Sequence, residues 1–372
     1  MNTSIQIGKV MGIPIKIHIS FLLVLILFPV IFSREPTTGF ANVEQDPLRY
    51  ALSLILTLLL FLCVALHELG HSWVARRYGI TIKSITLIIF GGIAAMDEVP
   101  RNPDAELRIS LAGPGVSLVI GVFCAIVYLI LHNIAQASQT SVISDVSHLL
   151  WSLATINIML FGFNLIPAFP MDGGRVVRAW YAQRMPYLRA TRKAVHLGKM
   201  IAILMGVFGL FASIWLLFIA FFIYIGASEE EKFTEASVTL EGVKVNDLMT
   251  RDVAYVTDDM TILELLQVMF GKKHRAYPVI DHFTREVVGM VAFADVQSVP
   301  MDKHNSVLVR DVMTTDIKSI FDDADAVDAL KMISIHRIGH LLVKNRITGA
   351  VTGIISRTDL TRSIEVLGYS ER

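Results

Sequence analysis

Residues His67-Glu68-Leu69-Gly70-His71 place two imidazoles four positions apart, with a carboxylate between them. On a helix, positions i and i+4 share a face, so both rings can reach one metal ion, and zinc is the metal this spacing favours. Glu68 is then placed to act as a base on a water at the metal. The motif comes directly after a sixteen-residue run, Ala51 to Leu66, that carries no charge. In a solvated helix the same side chains could form an ordinary polar face. In a helix that enters a bilayer that reading closes, because ionisable groups there face a partner or a cavity. The chemistry indicated is activation of water by a metal inside a membrane.

A catalytic zinc takes three protein ligands and keeps one position open, so the two histidines need a third partner. The strongest candidate is Asp172, in the segment Asn164-Leu165-Ile166-Pro167-Ala168-Phe169-Pro170-Met171-Asp172-Gly173-Gly174-Arg175. Two prolines and two glycines break the helix after an apolar span and free the chain to turn inward. Asp172 could alternatively do no more than cap the next helix. His18 is a weaker candidate, more simply explained by packing or a local hydrogen bond.

The elements that must position these residues are read from hydropathy. The chain is 53% hydrophobic and 18% charged, with a positive mean hydropathy, which fits a membrane protein carrying a soluble part. Formal net charge is zero, so no basic surface points to nucleic acid. The two cysteines, Cys63 and Cys124, lie in apolar segments and suggest neither a disulfide framework nor a thiolate zinc site. Apolar segments fall near 14–33, 51–75, 108–132 and 148–168, with a longer one over 196–227 that could turn at Gly206, Gly209 and Ser213. Six spans account for this pattern best, and five remain open. The first is expected to be retained rather than removed as a signal peptide, because Phe32-Ser33-Arg34-Glu35-Pro36 is not a small-residue cleavage site.

Arginine and lysine cluster in 76–108 and 175–193, Arg178 among them, and are absent from 133–147. The positive-inside rule therefore puts 76–108 and 175–193, and the N-terminus, in the cytoplasm. Between spans two and three, Ile80-Thr81-Ile82-Lys83-Ser84-Ile85-Thr86-Leu87-Ile88-Ile89-Phe90 is rich in β-branched residues and predicts a strand, ended by Gly91-Gly92. Lipid-exposed strands are excluded, so it must lie at the interface or among helices. From Glu229-Glu230-Glu231-Lys232 onward the composition is that of a soluble protein. This soluble part is an internal repeat: Asp247-Leu248-Met249-Thr250 matches Asp311-Val312-Met313-Thr314, Gly289-Met290-Val291 matches Gly353-Ile354-Ile355, and Asp295 matches Asp359. Each copy reads strand, helix, strand, strand, helix, and such a duplicated α/β unit is expected to pack as a pseudo-symmetric pair.

These pieces together resemble the site-two proteases, intramembrane zinc metalloproteases. The resemblance rests on His67 through His71, Phe90-Gly91-Gly92-Ile93-Ala94, Ala112-Gly113-Pro114-Gly115 and Asn164 through Gly174, and covers most of residues 10–227. The repeat resembles a pair of cystathionine-β-synthase (CBS) domains, which one branch of that family carries, including the sporulation protease of spore-forming bacteria. The resemblance implies that His67, His71 and Asp172 hold one Zn2+ per chain, that Glu68 is the general base, and that Asn164 orients substrate or steadies an oxyanion. It further implies that the strand around Phe90, Gly91 and Gly92 offers its edge to a locally unwound substrate.

CBS pairs often bind adenine nucleotides, and the family pattern of a hydroxyl residue three positions before an aspartate appears as Ser356 and Asp359. The first copy has Ala292 where the hydroxyl belongs, although Asp295 remains, so one competent site for ATP, ADP or AMP is expected rather than two. The pair could instead be a dimerisation or docking module without ligand. The expected architecture is a polytopic α-helical membrane protein of about six transmembrane helices with a short β segment, then a soluble α/β CBS pair. Its parts are a transmembrane domain over 1–227, a linker over 228–243 and CBS domains over 244–300 and 308–365. The expected activity is cleavage of transmembrane protein substrates within the lipid bilayer of the cell membrane, with the N-terminus and the CBS domains in the cytoplasm. A CBS-mediated homodimer is compatible with this reading. A CBS-regulated channel or transporter explains the spans and the repeat but leaves the zinc residues idle. A scaffold with a structural metal would retain zinc without needing Glu68.

Overall fold

Ile13, Ile15 and Ile17 alternate with Pro14, Lys16 and His18, and this period of two makes a strand rather than the start of a span. It is β2 (Ile13–His18), paired antiparallel to β1 (Ser4–Val10). The apolar segment expected to cross the membrane over 14–33 therefore contributes only α1 (Phe21–Phe32), whose 12 residues reach about 18 Å, short of a hydrocarbon core of about 30 Å. The computed structural model describes residues 4–89, 91–96, 101–138, 141–272 and 274–370. The chain divides into two units, Met1–Lys232 and Phe233–Arg372.

In the first unit, α2 (Asp46–Arg77) leads into a hairpin of β3 (Ile82–Ile88) and β4 (Gly91–Met96). The region expected to hold one strand thus holds two. Helices α3 (Pro103–Ser138), α4 (Ser141–Asn164), α5 (Asp172–Ala182), α6 (Tyr187–Ala212) and α7 (Ile214–Thr239) come next. The sheet order is β1-β2-β3-β4, with β2 and β3 parallel. β3 is hydrogen-bonded on both sides, so β4 is an edge strand among the described residues. Ile13, Ile15, Ile82 and Ile85 pack the sheet against Ala75 of α2 and Ala105 and Ile109 of α3.

Among the described residues, four helices are long and apolar enough to cross a membrane: 46–77, 103–137, 142–164 and 187–212. The long final apolar segment breaks at Ser213, which is extended at φ −166°, rather than at Gly206 or Gly209. The acidic stretch Glu229-Glu230-Glu231 lies within α7, which continues to Thr239.

The second unit holds the repeat. Its first copy runs α8 (Val245–Leu248), β5 (Val256–Thr257), α9 (Ile262–Lys272), β6 (Ala276–Ile280), β7 (Val287–Ala292) and α10 (Phe293–Gln297). The second runs α11 (Val309–Val312), β8 (Ser319–Phe321), α12 (Ala326–His336), β9 (His340–Lys344), β10 (Val351–Ser356) and α13 (Arg357–Ser370). Each forms a three-stranded sheet, parallel between its first two strands and antiparallel between the last two. The copies exchange their opening segments: Val245 enters the core of the second copy and Val309 that of the first. Thr250 and Ile354 trade backbone hydrogen bonds at 2.9 and 3.0 Å, and Met290 and Thr314 do so at 2.9 Å both ways. The repeated Asp-x-Met-Thr and glycine-strand motifs are thereby explained, because each methionine of one copy packs on the glycine of the other. A Cβ on Gly353 would meet Met249 Sδ at 2.6 Å, and one on Gly289 would meet Met313 Sδ at 2.4 Å.

Candidate metal centre

The buried positions of α2 recur every three or four residues, through Leu52, Leu56 and Cys63, and the same face continues into His67 and His71. Both imidazoles are buried. Their outer nitrogens are held by α3: His71 Nδ1 donates to the Ile109 carbonyl at 2.7 Å, and His67 Nδ1 shares a hydrogen bond with Ser117 Oγ at 2.9 Å. A carbonyl can only accept, so the neutral His71 carries its proton on Nδ1 and leaves a lone pair on Nε2. The two Nε2 atoms face each other at 3.1 Å.

Asp172 closes the group from the opposite side. Its Oδ2 lies 3.4 Å from His67 Nε2 and 3.2 Å from His71 Nε2. It is the first residue of α5, and the loop before it folds back so tightly that a Cβ on Gly173 would strike the Ile166 carbonyl at 2.3 Å. The turn that the prolines and glycines announce in the sequence is what brings this carboxylate inward.

These three atoms fit a metal ion. Ligands about 2.0 to 2.1 Å from a tetrahedral zinc stand roughly 3.3 Å from one another, and the three separations here are 3.1, 3.2 and 3.4 Å. Two imidazole lone pairs and a carboxylate oxygen converge at a point where a cation would satisfy all three. Two histidines, one carboxylate and no thiolate is the donor set of hydrolytic zinc centres. Nothing bulkier than hydrogen is tolerated on the α3 side, since a Cβ on Gly113 would fall 2.2 Å from His71 Nε2 and 2.6 Å from His67 Nε2. The sequence carries a cue for Gly113, a glycine beside a proline inside an apolar helix, where both are costly. It carries none for Ser117 or the Ile109 carbonyl.

The Glu68 side chain lies against β4, where a Cβ on Gly92 would sit 2.5 Å from Glu68 Cγ. Gly91 has φ +131°, a conformation that only glycine adopts readily. Phe90 lies outside the described residues. Asn164 ends α4 and donates its Nδ2 to the Leu160 carbonyl of its own helix at 2.9 Å. His18, the alternative third ligand, is not brought to the centre: its Nδ1 bonds Ser20 Oγ at 2.8 Å.

In the repeat, a cleft of about 420 Å3 is lined by Thr250, Arg275, His340, Ser356, Thr358 and Asp359, among others. Ser356 and Asp359 also serve each other. Asp359 Oδ2 accepts from Ser356 N at 2.8 Å and Oγ at 2.7 Å, a capping box at the start of α13. In the first copy, Asp295 Oδ2 accepts from Ala292 N at 2.7 Å without a hydroxyl to help.

Comparison with known proteins agrees with this geometry. Residues 55–207 match Peptidase family M50, and residues 245–302 and 309–366 match the CBS domain. The zinc metalloprotease MJ0392 of Methanocaldococcus jannaschii is 37% identical over the whole of this chain and 99% of its own length. The putative zinc metalloprotease Rip3 of Mycobacterium tuberculosis is 30% identical, over 98% of this chain and 94% of its own. A solved site-2 protease from Methanocaldococcus jannaschii aligns with 61% of this chain and 95% of its own at 39% identity and TM-score 0.42. The chain belongs to the site-2 protease family, peptidase family M50, with two CBS domains after the protease part. It is a zinc-dependent metallopeptidase of intramembrane proteolysis.

Proposed function

We propose that His67, His71 and Asp172 hold one zinc ion and that Glu68 is the general base in cleavage of transmembrane segments of membrane-bound substrates. The observation that carries this is the convergence of three donor atoms within 3.4 Å, with His71 and His67 each engaged at the outer nitrogen. When bound, zinc acidifies a water and polarises a peptide carbonyl. Glu68 takes the proton of the attacking water and returns it to the leaving amine. The β4 edge, an edge among the described residues, carries Gly91 and sets Gly92 against Glu68; it pairs with the backbone of a locally unwound substrate and satisfies groups the lost helix leaves open. Phe90 is assigned to the same substrate-binding role on the sequence resemblance alone. Asn164, released from Leu160, orients that substrate or the developing oxyanion.

Six membrane-inserted helices complete this reading, the four long ones together with Ile214–Thr239 and the short Phe21–Phe32, which crosses only where the bilayer thins around it. The N-terminus and the CBS domains then lie in the cytoplasm of a multi-pass cell-membrane protein. The parts are the protease domain over 1–227, a helical linker over 228–243, and CBS domains over 244–300 and 308–365, a pair that also offers a route to a homodimer. ATP, ADP or AMP occupies the cleft at Ser356 and Asp359, with Asp295 marking the weaker counterpart, and its binding biases proteolysis. The cleft supports this by presenting Arg275 and His340 for phosphates beside Ser356 and Asp359 for a ribose.

The test is Glu68→Gln. The purified variant should hold zinc as the wild type does and cleave a model transmembrane substrate at least about 100-fold more slowly. Cleavage within about tenfold of wild type would remove Glu68 as the base.

A further inference from the structure

Arg178 counts as one more positive charge in a connection when only the sequence is read, yet the fold buries it to 5% exposure. Its Nε and Nη2 donate to Glu106 Oε1 at 2.8 and 2.5 Å, and its Nη1 donates to Glu230 Oε1 at 2.5 Å. The guanidinium lies 4.9 Å from the centroid of Phe169 and 5.0 Å from that of Tyr187. Glu106 is itself 4% exposed, and its Oε2 is buried without a partner among the described residues.

Each of these partners leads toward the metal centre. Glu106 lies in the first turn of α3, one turn before Ile109, whose carbonyl orients His71, and two turns before Gly113. Phe169, fully buried, stands three residues before Asp172. Arg178 lies on α5, the helix that begins at Asp172. Arg178 thus joins the helix behind the histidines to the loop and helix that present the carboxylate. Glu230 attaches a third helix, α7, which runs without interruption to Thr239, shortly before the repeat begins. Glu231 on the next position is tied to Lys199 of α6 at 2.9 Å.

We propose that Arg178 is a positioning residue that holds Asp172 against His67 and His71, and that Glu230 makes this hold depend on where α7 sits. The inference rests on the zinc-ligand assignment above. A displacement of α7 along or about its axis moves Glu230 relative to Arg178, loosens the guanidinium from its place on Phe169, and changes how firmly Asp172 is presented. The CBS pair is joined to the protease part through this same helix, so the clamp supplies the physical element on which a signal from the repeat would act.

The experiment uses the full-length chain, purified and zinc-loaded, challenged with a chromogenic chelator. Glu230→Gln keeps the size of the side chain and removes its charge; Arg178→Lys keeps the charge and removes the two-sided fork. Each variant should begin with wild-type zinc content and then release zinc about tenfold faster, while the double variant should be no faster than the faster single. On a model transmembrane substrate, kcat should fall while KM stays unchanged, a split that general loosening of the fold would not give. If Arg178→Lys does not fold, Glu230→Gln decides alone, since the Glu230 side chain is 27% exposed and its loss leaves the Arg178–Glu106 pair in place. Release within about twofold of wild type in the folded variants overturns the clamp. Stoichiometric zinc in Asp172→Ala would overturn the ligand assignment beneath it, which is a different failure.

Discussion

Gly113 on α3 lies so close to His71 on α2 that a Cβ placed there would come within 2.2 Å of His71 Nε2, the atom that faces Asp172. A helix-interior glycine normally weakens its helix by about 1 kcal/mol relative to alanine. Here the hydrogen leaves room for the two imidazoles to converge. Gly113→Ala should therefore strengthen helix propensity and still lose the metal. Zinc per chain, measured after purification, should fall at least about tenfold, with the protein still eluting as wild type does. A fully loaded Gly113→Ala protein would show that the rings can shift aside.

Ser117 offers a subtler perturbation. Its hydroxyl is the hydrogen-bond partner of His67 Nδ1, at 2.9 Å in a buried position. Ser117→Ala keeps the packing volume nearly constant and leaves Nδ1 without that partner. Zinc affinity should weaken about 10- to 100-fold, read by competition with a chelator of known affinity, while kcat of the fully loaded enzyme changes little. Unchanged affinity would mean that α2 alone fixes the His67 ring.

The difference between these two residues shows where the sequence stops being legible. His67, His71 and Asp172 stand out because their chemistry is rare in an apolar chain, and because prolines and glycines flag the turn at Asp172. Gly113 leaves a weak trace, as a helix breaker beside a proline. Ser117 and the Ile109 carbonyl leave none, since a serine or a backbone oxygen in a helix has no signature until another helix packs on it. Arg178 misleads for a related reason. A charge in a basic connection reads as solvated, and its carboxylate partners lie 72 and 52 residues away in the chain. The segment 14–33 reads as one span because windowed hydropathy sums over residues 14–18, whose alternation belongs to the strand Ile13–His18. The repeat is the most legible part, since a duplication announces its own topology. Even so, the exchange of Val245 and Val309 between the two cores is not visible in either copy alone.

That exchange can be tested through the glycines that accept the methionines. Gly353→Val and Gly289→Val each force a branched side chain against a sulfur that stands 2.6 or 2.4 Å from the would-be Cβ. Overpacking of this kind costs about 1 to 3 kcal/mol. Hydrogen exchange on the full chain should show faster exchange in both copies for either variant, including at the Thr250–Ile354 and Met290–Thr314 bonds. Exchange that rises only in the copy carrying the mutation would mean the two halves fold independently.

His340 gives the repeat a dependence on acidity. It lines the cleft with Arg275 and Asp359. Burial pushes its pKa below the ordinary histidine value of 6.5; Arg275 pushes the same way, and Asp359 pushes back. The folded state therefore binds the proton more weakly than the unfolded chain does. Its full stability is present above about pH 6.5 and is lost as pH falls through the depressed value. Protection factors of amides in β9 and β10, taken relative to the slower intrinsic exchange at lower pH, should fall on going from neutral pH toward about pH 5, and His340→Gln should remove that fall. A phosphate bound between Arg275 and His340 would reverse the sign, because an anion favours the imidazolium and offsets part of the cost of burial. Binding of ATP, ADP or AMP should then take up a proton near pH 6 and tighten as pH is lowered from 7.5 to 6, as long as the nucleotide's own protonation is accounted for. Calorimetry on the full-length protein in two buffers of different ionisation enthalpy measures that uptake directly. A Kd that does not change with pH, or one that changes equally in His340→Gln, would place the phosphates elsewhere in the cleft.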